Sequence, residues 1–242
     1  MNNAIFQFTI KQFLARPVRI VLVVLFFLFP LDFDCISIFS PFFEGLPRMS
    51  STDSACNFAF IIAAGIIGSD VSDGILPLTF SRPLKRIEYI LSKWLAVSSM
   101  VAILAILNDL IHWMILSKGS LEMLQSVEPC IFLNTVTAAL GSTAIIMLFS
   151  SLVPGIADIG IILLIGVIAT ITMLINHYWK VAWAINVAAV LLSILSPHVD
   201  LSTLSGTYEV IEAFGIYLST VFTALFLATY FVNRKELSYG RE

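Results

Sequence analysis

Residues 68–94, GSDVSDGILPLTFSRPLKRIEYILSKW, carry Asp70, Asp73, Arg82, Lys85, Arg86, Glu88 and Lys93 between two hydrophobic runs. Charge at that density is too costly for hydrocarbon, so the stretch is expected in water or against a partner, separating one membrane crossing from the next. The chain around it is greasy: 59% of its 242 residues are hydrophobic and 12% charged, against about 45–50% and about 25% in soluble domains. With a mean hydropathy of +0.97, the excess is too large for a soluble core. The composition predicts an all-α, polytopic membrane helical bundle, one domain over 1–242, with room for about six spans of roughly 20 residues and no large soluble unit.

The apolar runs divide the chain accordingly. The first covers 20–43 and is interrupted by Pro30, Asp32 and Asp34, which predicts a span kinked or frayed at its far end. Asp32 and Asp34 suit either an outer vestibule or a plain polar helix end. Lys11, Arg16 and Arg19 precede this run with no small-x-small cleavage site after it, so the segment is expected to stay in the protein. The second run, 55–68, holds Ala63, Ala64, Gly65 and Gly68, small residues that let neighbouring backbones approach. Further runs cover 94–116, 131–153, 159–175 and 210–232, with Pro154, Gly155 and Asp158 marking a turn between two of them. The remaining apolar stretch, 181–195, follows His177, Tyr178, Trp179 and Lys180 and stops at Ser196 and Pro197. At about 15 residues behind an aromatic and basic belt, it is expected to be interfacial or re-entrant rather than a crossing.

Charge orients the bundle. With the N-terminus cytoplasmic and 181–195 not crossing, Lys11, Arg16, Arg19, Arg82, Lys85, Arg86, Lys93, Arg234, Lys235 and Arg241 fall inside, and only Arg48, Lys118 and Lys180 outside. Ten against three is a strong positive-inside bias. A seventh crossing would put Arg234, Lys235 and Arg241 outside, so six spans in the cell membrane with both termini cytoplasmic is the expected topology. Residues 69–93 then face the cytoplasm. Val71, Ile75 and Leu78 share a helical face, predicting a short amphipathic helix, and Pro83 suits the first turn of a helix continuing into the third span.

At this loop the sequence resembles the ABC-2 family, the permease subunits of ATP-binding-cassette exporters. The family typically has an acidic residue after the second span, then Gly-Thr-Leu or similar, a Ser-x-Pro turn, a basic residue, and a lysine entering the third span. Here the order reads Asp70; Gly74, Ile75 and Leu76; Ser81, Arg82 and Pro83; Arg86; Lys93. The likeness extends in outline to LGSTAIIMLFSSL at 140–152, ILSPHVDL at 194–201 and the NRKEL that begins at Asn233. Departures are Asp70 for the common Glu, Ser72 and Asp73 where basic residues are frequent, and Lys85 for a small hydroxyl residue. The resemblance implies that the helix between spans two and three is a coupling helix seated on a separate ATPase subunit, with Asp70, Asp73, Gly74, Ile75, Leu76, Arg82, Pro83 and Arg86 at the joint. It also implies a second permease subunit, identical or related, around a shared path for export. Without the resemblance the segment reads as an ordinary positive-inside loop, and Arg82, Lys85 and Arg86 suit anionic membrane lipid headgroups as well as an ATPase surface.

The chain has no G-x-x-x-x-G-K-[ST] phosphate loop, so ATP and Mg are expected on the partner and no cofactor on this chain. A basic patch with interleaved aromatics of the nucleic-acid kind is also missing. Nor is there an H-E-x-x-H, and Asp70 with Asp158 is a poor echo of an aspartyl pair, which disfavours an intramembrane enzyme. Cys35, Cys56 and Cys130 lack CxxC spacing and read as small apolar residues, though a bridge from Cys56 to Cys130 is compatible with their positions near the outer face. Asn108, Asp109 and His112 lie in the third run, with Asp109 and His112 sharing a face. They are candidates for lining the path or relaying protons, or they hydrate at the outer interface. An ATP-independent secondary transporter using Asp109 and His112 is the alternative class, although no Gly/Pro-broken pair of spans recurs in the two halves. Thr135, Thr137, Ser142, Thr143, Ser150 and Ser151 are expected to bond to carbonyls one turn back.

Overall fold

The computed structural model describes residues 3–28, 51–72, 85–116, 129–153, 157–201 and 206–239. Among these there are nine helices and no strand: α1 (Asn3–Leu14), α2 (Pro17–Leu28), α3 (Ser51–Ala63), α4 (Gly68–Ser72), α5 (Arg86–Leu116), α6 (Pro129–Leu152), α7 (Ala157–Trp179), α8 (Ala182–Leu195) and α9 (Thr207–Tyr239). Five stretches are long and apolar enough to cross a bilayer: Ser54–Val71, Arg86–Ile111, Phe132–Leu152, Ile159–Asn176 and Thr207–Arg234. The 12 residues of α2 open the run expected to be the first span, and the continuation of that run lies outside the described residues.

α6 is the hub, packing most extensively against α3, α9 and α5. Its inner faces are built from Ala138, Ala139, Gly141 and Ala144, and the facing residues of α5 include Ala96, Val97, Val101 and Ala105. Small side chains let helices approach where lipid supplies no hydrophobic drive for association. Of Ser54–Val71, 78% is buried, against 17% of Ile159–Asn176; the former is therefore an interior helix and α7 a peripheral one, packed mainly on α8.

Hydrogen bonds locate the two ends of the bundle. At one, Asp109 of α5 accepts from Ser54 Oγ of α3 (3.0 Å) and Thr135 Oγ1 of α6 (2.9 Å). At the other, Asp70 of α4 meets Lys93 of α5. α8 runs back along α7 from the Asp109 end and stops where Ser142 Oγ of α6 donates to Ser196 Oγ (3.2 Å). Ser142 lies about 20 Å down α6 from its first residue at 1.5 Å per residue, near mid-depth. The chain then climbs back along α6, with Val199 N donating to Thr137 Oγ1 (3.4 Å) and Leu201 N to Asn134 Oδ1 (3.1 Å), before α9 begins. Segment 181–201 thus forms a short helix followed by a return along α6. Tyr178, Trp179 and Trp183 are exposed at the α7–α8 corner, an aromatic belt of the expected kind.

One expectation is overturned at the second span. The sequence reading stops it at Gly68 and leaves Asp70 and Lys93 facing water or a partner; the structure buries both inside the bundle, at 1% and 0% side-chain exposure. Each neutralises the other, and that removes the penalty on which the reading relied.

Candidate functional site

The second span is broken in its last third. α3 ends at Ala63, and Gly65 takes a positive φ of 69°, a left-handed conformation that glycine adopts without a Cβ clash and that commonly stops helices. After the turn at 64–67 the chain resumes as α4. Such a break frees carbonyls before it and N–H groups after it, and each unpaired group at this depth is costly.

Three side chains from other helices satisfy those groups, and a fourth, Arg16, bonds to a hydroxyl beside them. Arg19 of α2 donates to Ile62 O (2.8 Å) and Ala64 O (2.6 Å), a cation at the carbonyl end of α3 where the helix dipole favours it. Lys93 of α5 donates to Ile66 O (3.0 Å). On the amide side, Ser150 Oγ of α6 accepts from both Ile67 N (3.1 Å) and Gly68 N (3.0 Å). Arg16, between α1 and α2, donates to Ser69 Oγ (3.2 Å). The break is thus held by α2, α5 and α6 together.

Asp70 sits one turn beyond. Its Oδ2 pairs with the Lys93 ammonium and accepts from Tyr89 Oη at 2.6 Å, while its Oδ1 accepts from Gln12 Nε2 of α1 at 3.0 Å. Tyr89 and Lys93 lie four residues apart on one face of α5, with the ammonium 5.1 Å from the ring centroid. Each buried charge therefore has an opposite charge and further hydrogen bonds, the condition under which a buried ion pair is tolerated. The result joins the end of the second span, the start of the third and the N-terminal helix in one polar knot.

Of the residues the sequence singles out for the joint, Asp70 belongs to this knot and Arg86 lies half-buried in the first turn of α5. Asp73, Gly74, Ile75, Leu76, Arg82 and Pro83 lie outside the described residues. Gln12, Arg16, Arg19, Gly65, Tyr89 and Ser150 are members that sequence reasoning missed. The available signal was Tyr89 one turn before Lys93, a pairing that marks an inward face.

At the opposite end, Asp109 joins α3, α5 and α6 through Ser54 and Thr135; Asn108 beside it is half-buried, and the His112 side chain lies outside the described residues. Among the expected hydroxyls, Thr137, Thr143 and Ser151 do bond to carbonyls three or four residues back, whereas Thr135, Ser142 and Ser150 reach other helices. Cys56 and Cys130 are not bridged to each other. No group of three or more His, Cys, Asp and Glu placed to hold a metal occurs among the described residues. No family model, curated protein or solved structure matches the chain.

Proposed function

We propose that the chain is the membrane subunit of an ABC-2 type ATP-binding-cassette exporter, a permease that pairs with a second permease subunit and is driven by a separate ATPase subunit. In this reading α2 extends into a first span to give six, both termini are cytoplasmic in the cell membrane, and the coupling helix lies within residues 70–80. The chain itself is not an enzyme; ATP and Mg belong to the partner.

The observation that carries the reading is the knot at Asp70. A loop that transmits force needs both of its anchors to move as one body. Asp70 closes one side of segment 73–84 and Lys93, with Tyr89, closes the other, and these three are bonded to each other. A push on the segment is then delivered to α4, α5 and, through Gln12, α1 together. Prediction: the full chain expressed with its cognate ATPase co-purifies with it, and Gly74→Arg or Leu76→Asp releases the ATPase without loss of membrane insertion. Undiminished recruitment by both variants would remove residues 70–80 from the joint.

Asp109 favours a second reading, an ATP-independent secondary transporter, because a carboxylate tying three spans together is a plausible ion-coupling group. Here Asp109→Asn, which keeps hydrogen bonding with Ser54 and Thr135 while removing the charge, discriminates. Under the exporter reading, nucleotide-driven transport in proteoliposomes changes by less than about threefold, within the range of one modest hydrogen bond. Under the alternative, gradient-driven transport without any ATPase is present in the parent and lost in the variant.

A further inference from the structure

We infer that α1 is a docking surface for anionic phospholipid, binding headgroups of the leaflet at the Asp70 end of the bundle; this stands independently of the exporter reading. α1 is 12 residues, about 18 Å at 1.5 Å per residue, too short to cross a bilayer. It packs chiefly on α5 through buried Ile5, Thr9 and Phe13, with Gln12 turned to Asp70. Among the described residues the opposite face is exposed, and it is mixed in character. Phe8 (47% exposed), Lys11 and Leu14 (60%) lie there at three-residue spacing, with Gln7 one turn before Lys11. Two exposed apolar side chains flanking one exposed cation is the pattern of a helix lying in a membrane interface. Just beyond Leu14, the exposed apolar residues Val18, Val21, Leu22 and Leu25 of α2 begin, so the face continues onto a surface composed for acyl chains.

Charge commits the face to an anionic occupant. In the described segments 3–28, 64–72 and 85–93, six cations (Lys11, Arg16, Arg19, Lys85, Arg86 and Lys93) stand against two carboxylates, Asp70 and Glu88. Asp70 is already matched by Lys93. Among the described residues the Arg16 side chain bonds to a neutral hydroxyl, and Lys11 is exposed; both are cations that can donate to phosphate oxygens. Because Gln12 on the other side of α1 bonds to Asp70, lipid bound on this face also steadies the knot.

The test uses the full chain in nanodiscs of equal parts phosphatidylglycerol and phosphatidylcholine, with retained lipids counted by native mass spectrometry. The wild type is expected to retain phosphatidylglycerol in preference. Lys11→Gln, at an exposed side chain, is expected to lower that preference about fivefold, and Gln7→Lys, one turn away on the same face, to raise it by a similar factor. Amide exchange across residues 3–14 is expected to be slower in these discs than in phosphatidylcholine alone. The inference is overturned if both variants retain the wild-type lipid ratio. It is equally overturned if Lys11→Gln leaves lipid unchanged but sheds a co-purifying protein, since the face would then belong to that protein.

Discussion

Asp70→Leu is expected to destabilise the folded bundle by about 3–5 kcal/mol, the usual consequence of removing one partner of a buried ion pair. The loss comes less from a missing attraction than from what remains. Lys93 is fully buried, and without Asp70 its ammonium keeps only Ile66 O and the Tyr89 ring as described partners. Tyr89 Oη and Gln12 Nε2 lose their acceptor as well. The double variant Asp70→Leu with Lys93→Met removes both charges and fills the same space with apolar atoms. It is expected to recover most of the loss and fold within about 2 kcal/mol of the parent, since apolar replacement of a buried pair is often neutral or better. Reversible unfolding in mixed detergent micelles, followed by helical content, measures both. Equal destabilisation in the single and double variants would show that the pair is not what the knot depends on.

The same variants separate folding from transmission. In the exporter reading the double variant still presents segment 73–84 to an ATPase, so recruitment is retained. With the ionic joint between α4 and α5 replaced by nondirectional packing, nucleotide hydrolysis would be less tightly coupled to movement of both spans. The charges would then serve position more than stability, a role for which buried polar groups have precedent.

Much of the architecture was legible from short windows. Long apolar runs mark α5, α6, α7 and α9 because a bilayer demands about 20 apolar residues per crossing, and the stretch at 181–195 is legible as a shorter helix by its length. Thr143 and Ser151 bond to carbonyls of their own helix, as hydroxyls in a helix commonly do. Windows fail where two distant residues cancel each other's cost. Asp70 and Lys93 are 23 positions apart, and either one read singly belongs in water. Ser150 looks like its neighbour Ser151, yet it reaches the amides of Ile67 and Gly68 because α3 breaks opposite it. The break itself was foreshadowed by Gly65, but glycine in a span signals close packing as readily as a turn. Asn134 and Asp200 are another such pair, joined at 3.1 Å across 66 residues, with no local pattern to announce it.

Gly141→Leu is expected to expel the segment that follows α8 from its seat on α6. A Cβ built at Gly141 meets the backbone carbonyl oxygen of Pro197 at clashing distance and Pro197 Cγ at 2.9 Å. Backbone cannot rotate away as a flexible side chain can, so the seat itself must move. Overpacking of this kind typically costs about 1–3 kcal/mol and occasionally more, and the segment is held to α6 by only a few hydrogen bonds, from Ser142, Val199, Asn134 and Leu201. Displacement is thus favoured over distortion of α6, which is fixed on three sides by α3, α5 and α9. Val199, 2% exposed in the parent, reports the outcome. In a background with Cys35, Cys56 and Cys130 replaced by Ser, a Val199→Cys thiol is expected to resist a membrane-impermeant maleimide and to become labelled once Gly141→Leu is added. The milder Gly141→Ala, whose single methyl group still meets the Pro197 carbonyl, is expected to give intermediate labelling. Protection of position 199 in all three proteins would mean that the turn at Ser196 and Pro197 can yield without leaving the bundle. The glycine would then be a convenience of packing rather than the condition for the chain after α8 to return along α6.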